Sequence, residues 1–263
     1  MTHPRFAGID RLLGQGAVGK LAAAHVAVIG VGGVGSWAAE ALARSGVGRI
    51  TLIDLDDVCE TNTNRQVHAL TDTIGRAKVD VLAERIAQIA PEAQVNPVAE
   101  FFTAETADTL WDAGWSAVID AIDDRRSKAL LLARAHREQT PIVTCGAAGG
   151  RTDPTYVATA DLALSTSDGL LKRVRKVLRR EYGFPSGDAP WGITAVFSTE
   201  RPLFPQPDGS TATAPDRETS LKLDCATGFG TASFVTGVFG FAAAGAVVRA
   251  LGRPADSALF AKR

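Results

Sequence analysis

Apolar and polar positions along the chain fall into two alternating periods. Short apolar runs at residues 26–29, 50–53, 95–98, 118–122 and 142–144 predict strands, with the third the weakest. Helical spacing marks the intervening stretches 36–44, 78–89, 104–110 and 128–136. In the second of these, Val79, Leu82, Ile86 and Ile89 share one face. Strand following helix through residues 1–150 predicts an α/β fold, a Rossmann-like, mostly parallel sheet with helices on both faces.

Beyond residue 150 the pattern changes to a smaller α+β extension over 151–263. Residues 156–159 and 193–198 are strand-like. The stretch 170–180 reads LLKRVRKVLRR, placing Leu170, Leu171, Val174, Val177 and Leu178 on one helical face. Its other face carries Lys172, Arg173, Arg175, Lys176, Arg179 and Arg180. Four prolines among small polar residues predict a long mobile loop near 200–224.

Residues 226–248 hold no charge over 23 positions, nominally enough to cross a bilayer. Gly230, Thr231, Ser233, Thr236, Gly237, Gly240 and Gly245 lower the hydropathy of that run. The small pairs Ser233/Gly237 and Gly240/Ala244 suit close helix packing, so a buried or subunit-facing helix is expected over a membrane span.

Charge narrows the field further. Lys and Arg (28) nearly balance Asp and Glu (29), so the molecule has no overall attraction for polyanions. Any nucleic-acid contact must come from a local patch, and the basic face of 170–180 is the one strong cationic cluster. A solvated face is the other reading of the same residues. Cys59, Cys145 and Cys225 form no CxxC pair, which argues against structural zinc and a disulfide framework. The N-terminal residues lack an apolar signal core, and a cytoplasmic setting is the expectation.

The chemistry gathers around Gly30, Gly32, Gly33 and Gly35, which follow the first strand and open a helix at Ser36. Glycines let a backbone approach phosphate, and a helix N-terminus supplies free N–H groups. Asp54, 19 residues past Gly35, ends the second strand, where a carboxylate can accept from ribose hydroxyls. A nicotinamide-dependent oxidoreductase would show this much. Asn62, Arg65 and Lys78 add an amide and two cations suited to a triphosphate. Asp123 and Asp124 follow the fourth strand, and a carboxylate there needs a cation between itself and phosphate. Mg²⁺ held by one carboxylate and phosphate oxygens meets that need.

The stretches GVGGVGSWAAEALARSGVG, LIDLDDVCETNTNRQVH, GRAKVD, VIDAIDD and RFAGIDRLLG resemble the ThiF/MoeB branch of the ubiquitin-activating-enzyme superfamily. Its members adenylate carboxylates with ATP. The patterns RFxxxxRLxG, DDVCxTNTNRQ, VFSTE and DCATGFG resemble the subgroup that dehydrates a threonylcarbamoyl-modified adenosine in tRNA. The resemblance implies that residues 1–150 are the ATP-binding adenylation part and 151–263 a substrate and dimerisation extension of the same unit. It further implies that the four glycines and Ser36 hold phosphates and that Asp54 holds ribose. Asn62, Arg65 and Lys78 would grip the triphosphate, and Asp123 would hold Mg²⁺. Asp56 and Gln66 match family positions beside them. Arg11 would reach the γ-phosphate from the partner of a homodimer. A monovalent-cation site and an association with a cysteine-desulfurase or sulfur-acceptor system are left open.

Sulfur-carrier activators commonly add two CxxC pairs and a thioester-forming cysteine in the loop after 160–190, and this sequence has neither. Cys225 reads as a small residue opening the last helix rather than a nucleophile. The alternative function is activation of the C-terminus of a ubiquitin-like or sulfur-carrier protein.

Overall fold

Strands covered on both faces are apolar at successive positions, not only at alternate ones. The computed structural model, which describes residues 4–214 and 229–253, bears this out. Its elements begin with α1 (Ala7–Leu13), α2 (Ala17–Ala23), β1 (His25–Ile29), α3 (Gly35–Arg44), β2 (Arg49–Ile53) and α4 (Lys78–Ile89). There follow β3 (Gln94–Val98), α5 (Ala107–Leu110), β4 (Ala117–Asp120), α6 (Arg125–Arg137), β5 (Ile142–Cys145) and β6 (Val157–Asp161). The chain continues through α7 (Gly169–Glu181), β7 (Thr194–Ser198), β8 (Phe204–Pro205), β9 (Thr211–Ala212) and α8 (Ser233–Gly252).

The sheet has seven strands in the order β3-β2-β1-β4-β5-β7-β6. All neighbours pair in parallel except β6 and β7, which are antiparallel. Successive side chains divide between the two faces. Val26 and Val28 join α3, α4 and α8 in one core, while Ala27 and Ile29 join α6 and α7 in the other. Because β6 and β7 extend the same sheet, the C-terminal third continues the first layer rather than adding one.

Three expectations need adjustment. The helix read over 104–110 is only α5. Thr106 Oγ1 accepts from the Thr103 amide at 2.9 Å and donates to the Phe101 carbonyl at 2.6 Å, so side-chain bonds supply a turn in place of helix. The strand read to residue 122 stops at Asp120, whose carboxylate accepts from the Ile122 amide at 3.1 Å. Within the stretch read as a mobile loop, β8 and β9 pair as a hairpin, and residues 215–224 lie outside the described part.

Helix α8 is long and apolar enough to cross a membrane, with a mean hydropathy of 1.8, yet 56% of that stretch is buried inside the protein. It lies across α3, and the reason is Gly240. A Cβ there would stand 2.6 Å from the Val34 carbonyl oxygen and 2.8 Å from the Ala38 amide, so the two backbones touch. Residues 226–228 of the apolar run lie outside the described residues, as does Cys225. Overpacking at such a contact costs about 1–3 kcal/mol. Gly240→Val is therefore expected to lower the unfolding free energy by that much, read as a lower urea midpoint with an unchanged denaturant slope.

Candidate functional site

Strand order reverses about β1, with β2 and β3 on one side and β4 and β5 on the other. A crevice opens at the carboxyl ends of such strands, where ligands bind. The loop of Gly30 to Gly35 forms its floor. A Cβ on Gly35 would lie 1.8 Å from the Gly30 carbonyl oxygen, so no larger residue closes this turn. No side chain caps the start of α3, and the Ser36 amide is taken by the Gly32 carbonyl at 3.1 Å. The atoms nearest a Cβ placed on Gly32 or Gly33 would be side chains of Gln66, Thr236 and Arg65 rather than backbone.

Asp54 locks this loop to the end of β2. Its carboxylate accepts from the Val31 amide at 2.8 Å and from the Asp56 amide at 3.0 Å. It is 8% exposed, and burial pushes its pKa up against the opposing pull of Lys78. Two oxygens with one backbone donor each retain lone pairs for ribose hydroxyls.

Lys78 opens α4 and is almost wholly buried, with its ammonium donating to Asp56 Oδ2 at 2.7 Å. Asp56 is thus the residue that aims this cation. Asn62 is also buried, but its side-chain oxygen accepts from the Cys59 amide at 3.1 Å and shapes its own turn. Arg65 runs its stem over Gly33, whose Cβ would lie 3.6 Å from the Arg65 Cγ and Cδ. Its guanidinium donates to the Thr61 carbonyl at 2.7 Å and to Asn64 Oδ1 at 3.1 Å. Its carbonyl accepts from Trp37 Nε1 at 3.0 Å and Thr236 Oγ1 at 3.1 Å, tying this segment to α3 and α8. Gln66 is buried beside Gly32, and its side-chain oxygen has no protein partner. Ser36 is fully buried and accepts from the Val67 amide at 3.5 Å, so its hydroxyl turns to the Arg65 segment.

The paired carboxylates after β4 separate in role. Asp124 caps α6, accepting from the Arg126 and Ser127 amides at 3.0 and 2.8 Å. Asp123, beside it on the same turn, is exposed. The protein thus offers a cation one carboxylate here, which fits Mg²⁺ completed by phosphate oxygens.

Beneath that turn lies a group that the sequence reading missed. Lys128 on α6 is 0% exposed, with Nζ 2.9 Å from Asp120 Oδ2 and donating to the Ile122 carbonyl at 2.8 Å. Thr144 Oγ1 adds a 2.7 Å bond to Asp120. Burial pushes the Asp120 carboxyl above its ordinary range, against the pull of Lys128, Thr144 and the Ile122 amide. The sequence signal was a lysine on the apolar stripe of Ala129, Leu132 and Ala135, which is costly unless paired. His68 was missed too. It is 1% exposed and held neutral, its pKa lowered to about 4 by burial, then Lys78 and Arg85.

Other expected residues lie elsewhere. Arg11 is exposed on α1. The segment leading into α1 packs Phe6 on Gly46 and bonds Arg5 to Gln88 and Ile89, before β2 and β3 begin. That is the amino edge, across the sheet from its own glycine loop. On α7 the six basic residues divide. Arg175 bonds Ser165 and Leu162, and Arg179 bonds the Pro185 and Gly187 carbonyls and lies 5.2 Å over the Trp191 ring. Arg180 pairs with Glu181. Lys172, Arg173, Lys176 and Arg180 are exposed, but with Arg180 paired to Glu181 the unpaired patch is Lys172, Arg173 and Lys176, smaller than the sequence suggested. Cys145 is buried and its thiol pushed up to about 12, whereas Cys59 is exposed.

Lys128→Met strands a buried carboxylate, a change that typically costs about 3–5 kcal/mol. Urea denaturation should show that loss, with most of it recovered in the Lys128→Met/Asp120→Leu double variant.

Comparison with known proteins agrees with this geometry. A tRNA threonylcarbamoyladenosine dehydratase of Escherichia coli (strain K12) is 48% identical over 241 residues, 91% of this chain and 90% of that protein. The enzyme of the same name from Haemophilus influenzae (strain ATCC 51907 / DSM 11121 / KW20 / Rd) is 45% identical over 93% of this chain and 92% of its own length. The crystal structure of the E. coli tRNA N6-threonylcarbamoyladenosine dehydratase in complex with ATP superposes with a TM-score of 0.84 at 43% identity, covering 95% of this chain and 96% of that one. The ThiF family matches residues 7–261, and the chain belongs to that family.

Proposed function

We propose that this protein is an ATP-dependent dehydratase of N6-threonylcarbamoyladenosine in tRNA. What supports the reading is Arg65 lying over Gly33 and Lys78 held by Asp56 next to Asp54, with an exposed Asp123 after β4, in a chain similar over nine-tenths of its length to such dehydratases. The loop amides and the start of α3 would cradle the phosphates, with Asp54 on the ribose. The substrate carboxylate attacks the α-phosphorus and pyrophosphate leaves. The threonylcarbamoyl chain then closes into a ring and AMP departs with the former carboxylate oxygen. The nucleoside loses one water overall, and ATP becomes AMP and pyrophosphate.

Hydroxide is a poor leaving group and AMP a good one, so the enzyme's work is to stabilise charge growing on phosphoryl oxygens. Lys78 suits that work because burial removes the water that would screen it. Asp56 releases it once a more negative group arrives. Asp123 would hold Mg²⁺, whose charge would offset that of the phosphates. In this reading the protein acts as a homodimer, with Arg11 of one copy completing the partner's γ-phosphate site. Residues 151–263 would carry the RNA and subunit contacts. Activation of a sulfur-carrier protein is the lesser reading: the sulfur carrier protein ThiS adenylyltransferase of E. coli (strain K12) matches over only 38% of this chain.

Incubation with ATP, Mg²⁺ and modified tRNA should produce a nucleoside lighter by one water by mass spectrometry. Lys78→Ala and Arg65→Ala should each slow that conversion by about 10²–10³, the usual cost of losing an oxyanion donor; near-normal turnover in either would overturn the assignment. Replacing Lys172, Arg173 and Lys176 with Gln should weaken tRNA binding and flatten its logarithmic salt slope by about 2–3. An unchanged slope would place the RNA elsewhere.

A further inference from the structure

Two helices carry the parts of the crevice, and one ion pair crosses between them. Helix α3 begins at the glycine loop and α4 begins at Lys78. Both bury an apolar stripe in the same core, α3 with Ala38, Ala39 and Leu42 and α4 with Val79, Leu82 and Ile86. Apolar packing is non-directional. It holds the two helices together and leaves their axial register to groups that make directional bonds.

Glu40 supplies those bonds. It is 4% exposed on α3, one turn beyond Ser36, where an unpaired carboxylate would be costly. Arg85 lies on the face of α4 that also carries Lys78. Its guanidinium grips Glu40 as a fork, Nε donating to Oε2 at 2.7 Å and Nη2 to Oε1 at 3.1 Å. Arg44 also donates to Oε1, at 2.8 Å, but from within α3 itself. Among the described residues no other hydrogen bond or ion pair joins α3 to α4. At about 1.5 Å of rise per residue, the fork stands roughly 10 Å down the α4 axis from Lys78. Asp56 aims the ammonium of Lys78, but its own side chain is 54% exposed and does not set where the helix stands.

We propose that Glu40 and Arg85 are positioning residues for the reaction. Their fork sets the register of α4 against α3, and with it the distance of Lys78 from phosphates seated on the glycine loop. The inference rests on the role given to Lys78 under the proposed function. A bidentate pair suits the task because it fixes angle as well as separation. Removing Glu40 seals no charge away from water, since the Arg44 and Arg85 side chains are 59% and 35% exposed. The fold is therefore expected to survive Glu40→Gln.

The test uses the full chain and two readouts, calorimetric affinity for a non-hydrolysable ATP analogue and turnover on modified tRNA. The first involves no RNA, so it still reads the link if the dehydratase assignment fails. Misplacing a reacting group by about 1 Å can cost about a hundredfold in rate. Glu40→Gln should bind the analogue about fivefold more weakly and turn over about tenfold more slowly. Arg85→Lys, which keeps the charge and loses the fork, should do the same. Arg44→Gln should leave both readouts unchanged, because its bond stays within α3. In a Lys78→Ala background Glu40→Gln should add no further loss, since the group it positions is gone; a general loosening of the fold would add its full effect. Thermal melting checks that each variant is folded. Glu40→Gln and Arg85→Lys within about twofold of the unmodified protein in both readouts would overturn the proposal. So would a loss carried in full into the Lys78→Ala background.

Discussion

The crevice depends on one close approach, the contact of Gly35 with the carbonyl of Gly30. It turns the chain from β1 into α3 tightly enough that the helix starts at the mouth of the site. Asp54 then pins the turn from the neighbouring strand through the Val31 amide. With floor and wall joined, Lys78 and Arg65 can be brought in from a separate segment. Their positions are set by bonds to Asp56, Trp37 and Thr236 rather than by the turn itself. A loosened turn would disperse donors that are individually well held.

Burial explains why charges in this protein do different things. Lys128 and Asp120 are sealed from water and hold the loop after β4, whereas Asp123, on that loop, is exposed. The buried pair gives the exposed residue a fixed foundation. Lys78 stands between these extremes, a buried cation beside a half-exposed carboxylate. That arrangement leaves it able to exchange partners with a ligand.

Much of this was legible from residue pattern. The parallel strands announced themselves because both faces are buried, and α4 because its apolar residues repeat at helical spacing. Gly35 and Asp54 were readable because local geometry demands them. Lys128 was not, because its partner Asp120 is on another strand-end and only the folded sheet brings them together. The basic face of α7 was over-read for a related reason. Helical periodicity separates polar from apolar sides, but it does not see that Arg179 reaches the Pro185 carbonyl and the Trp191 ring. The helix expected at 104–110 failed where two threonines offered the backbone a competing turn.

The carbonyl of Arg65 receives donors from two helices at once, Trp37 on α3 and Thr236 on α8. Helix α8 meets α3 at Gly240, so the three parts form a closed mechanical loop. A ligand that draws Arg65 towards its phosphates must work against that loop. Thermodynamic reciprocity then makes the seating of α8 and the affinity for the ligand two readings of one coupling free energy. In the proposed ATP site, a change in how α8 is seated would therefore alter how tightly the phosphates are held.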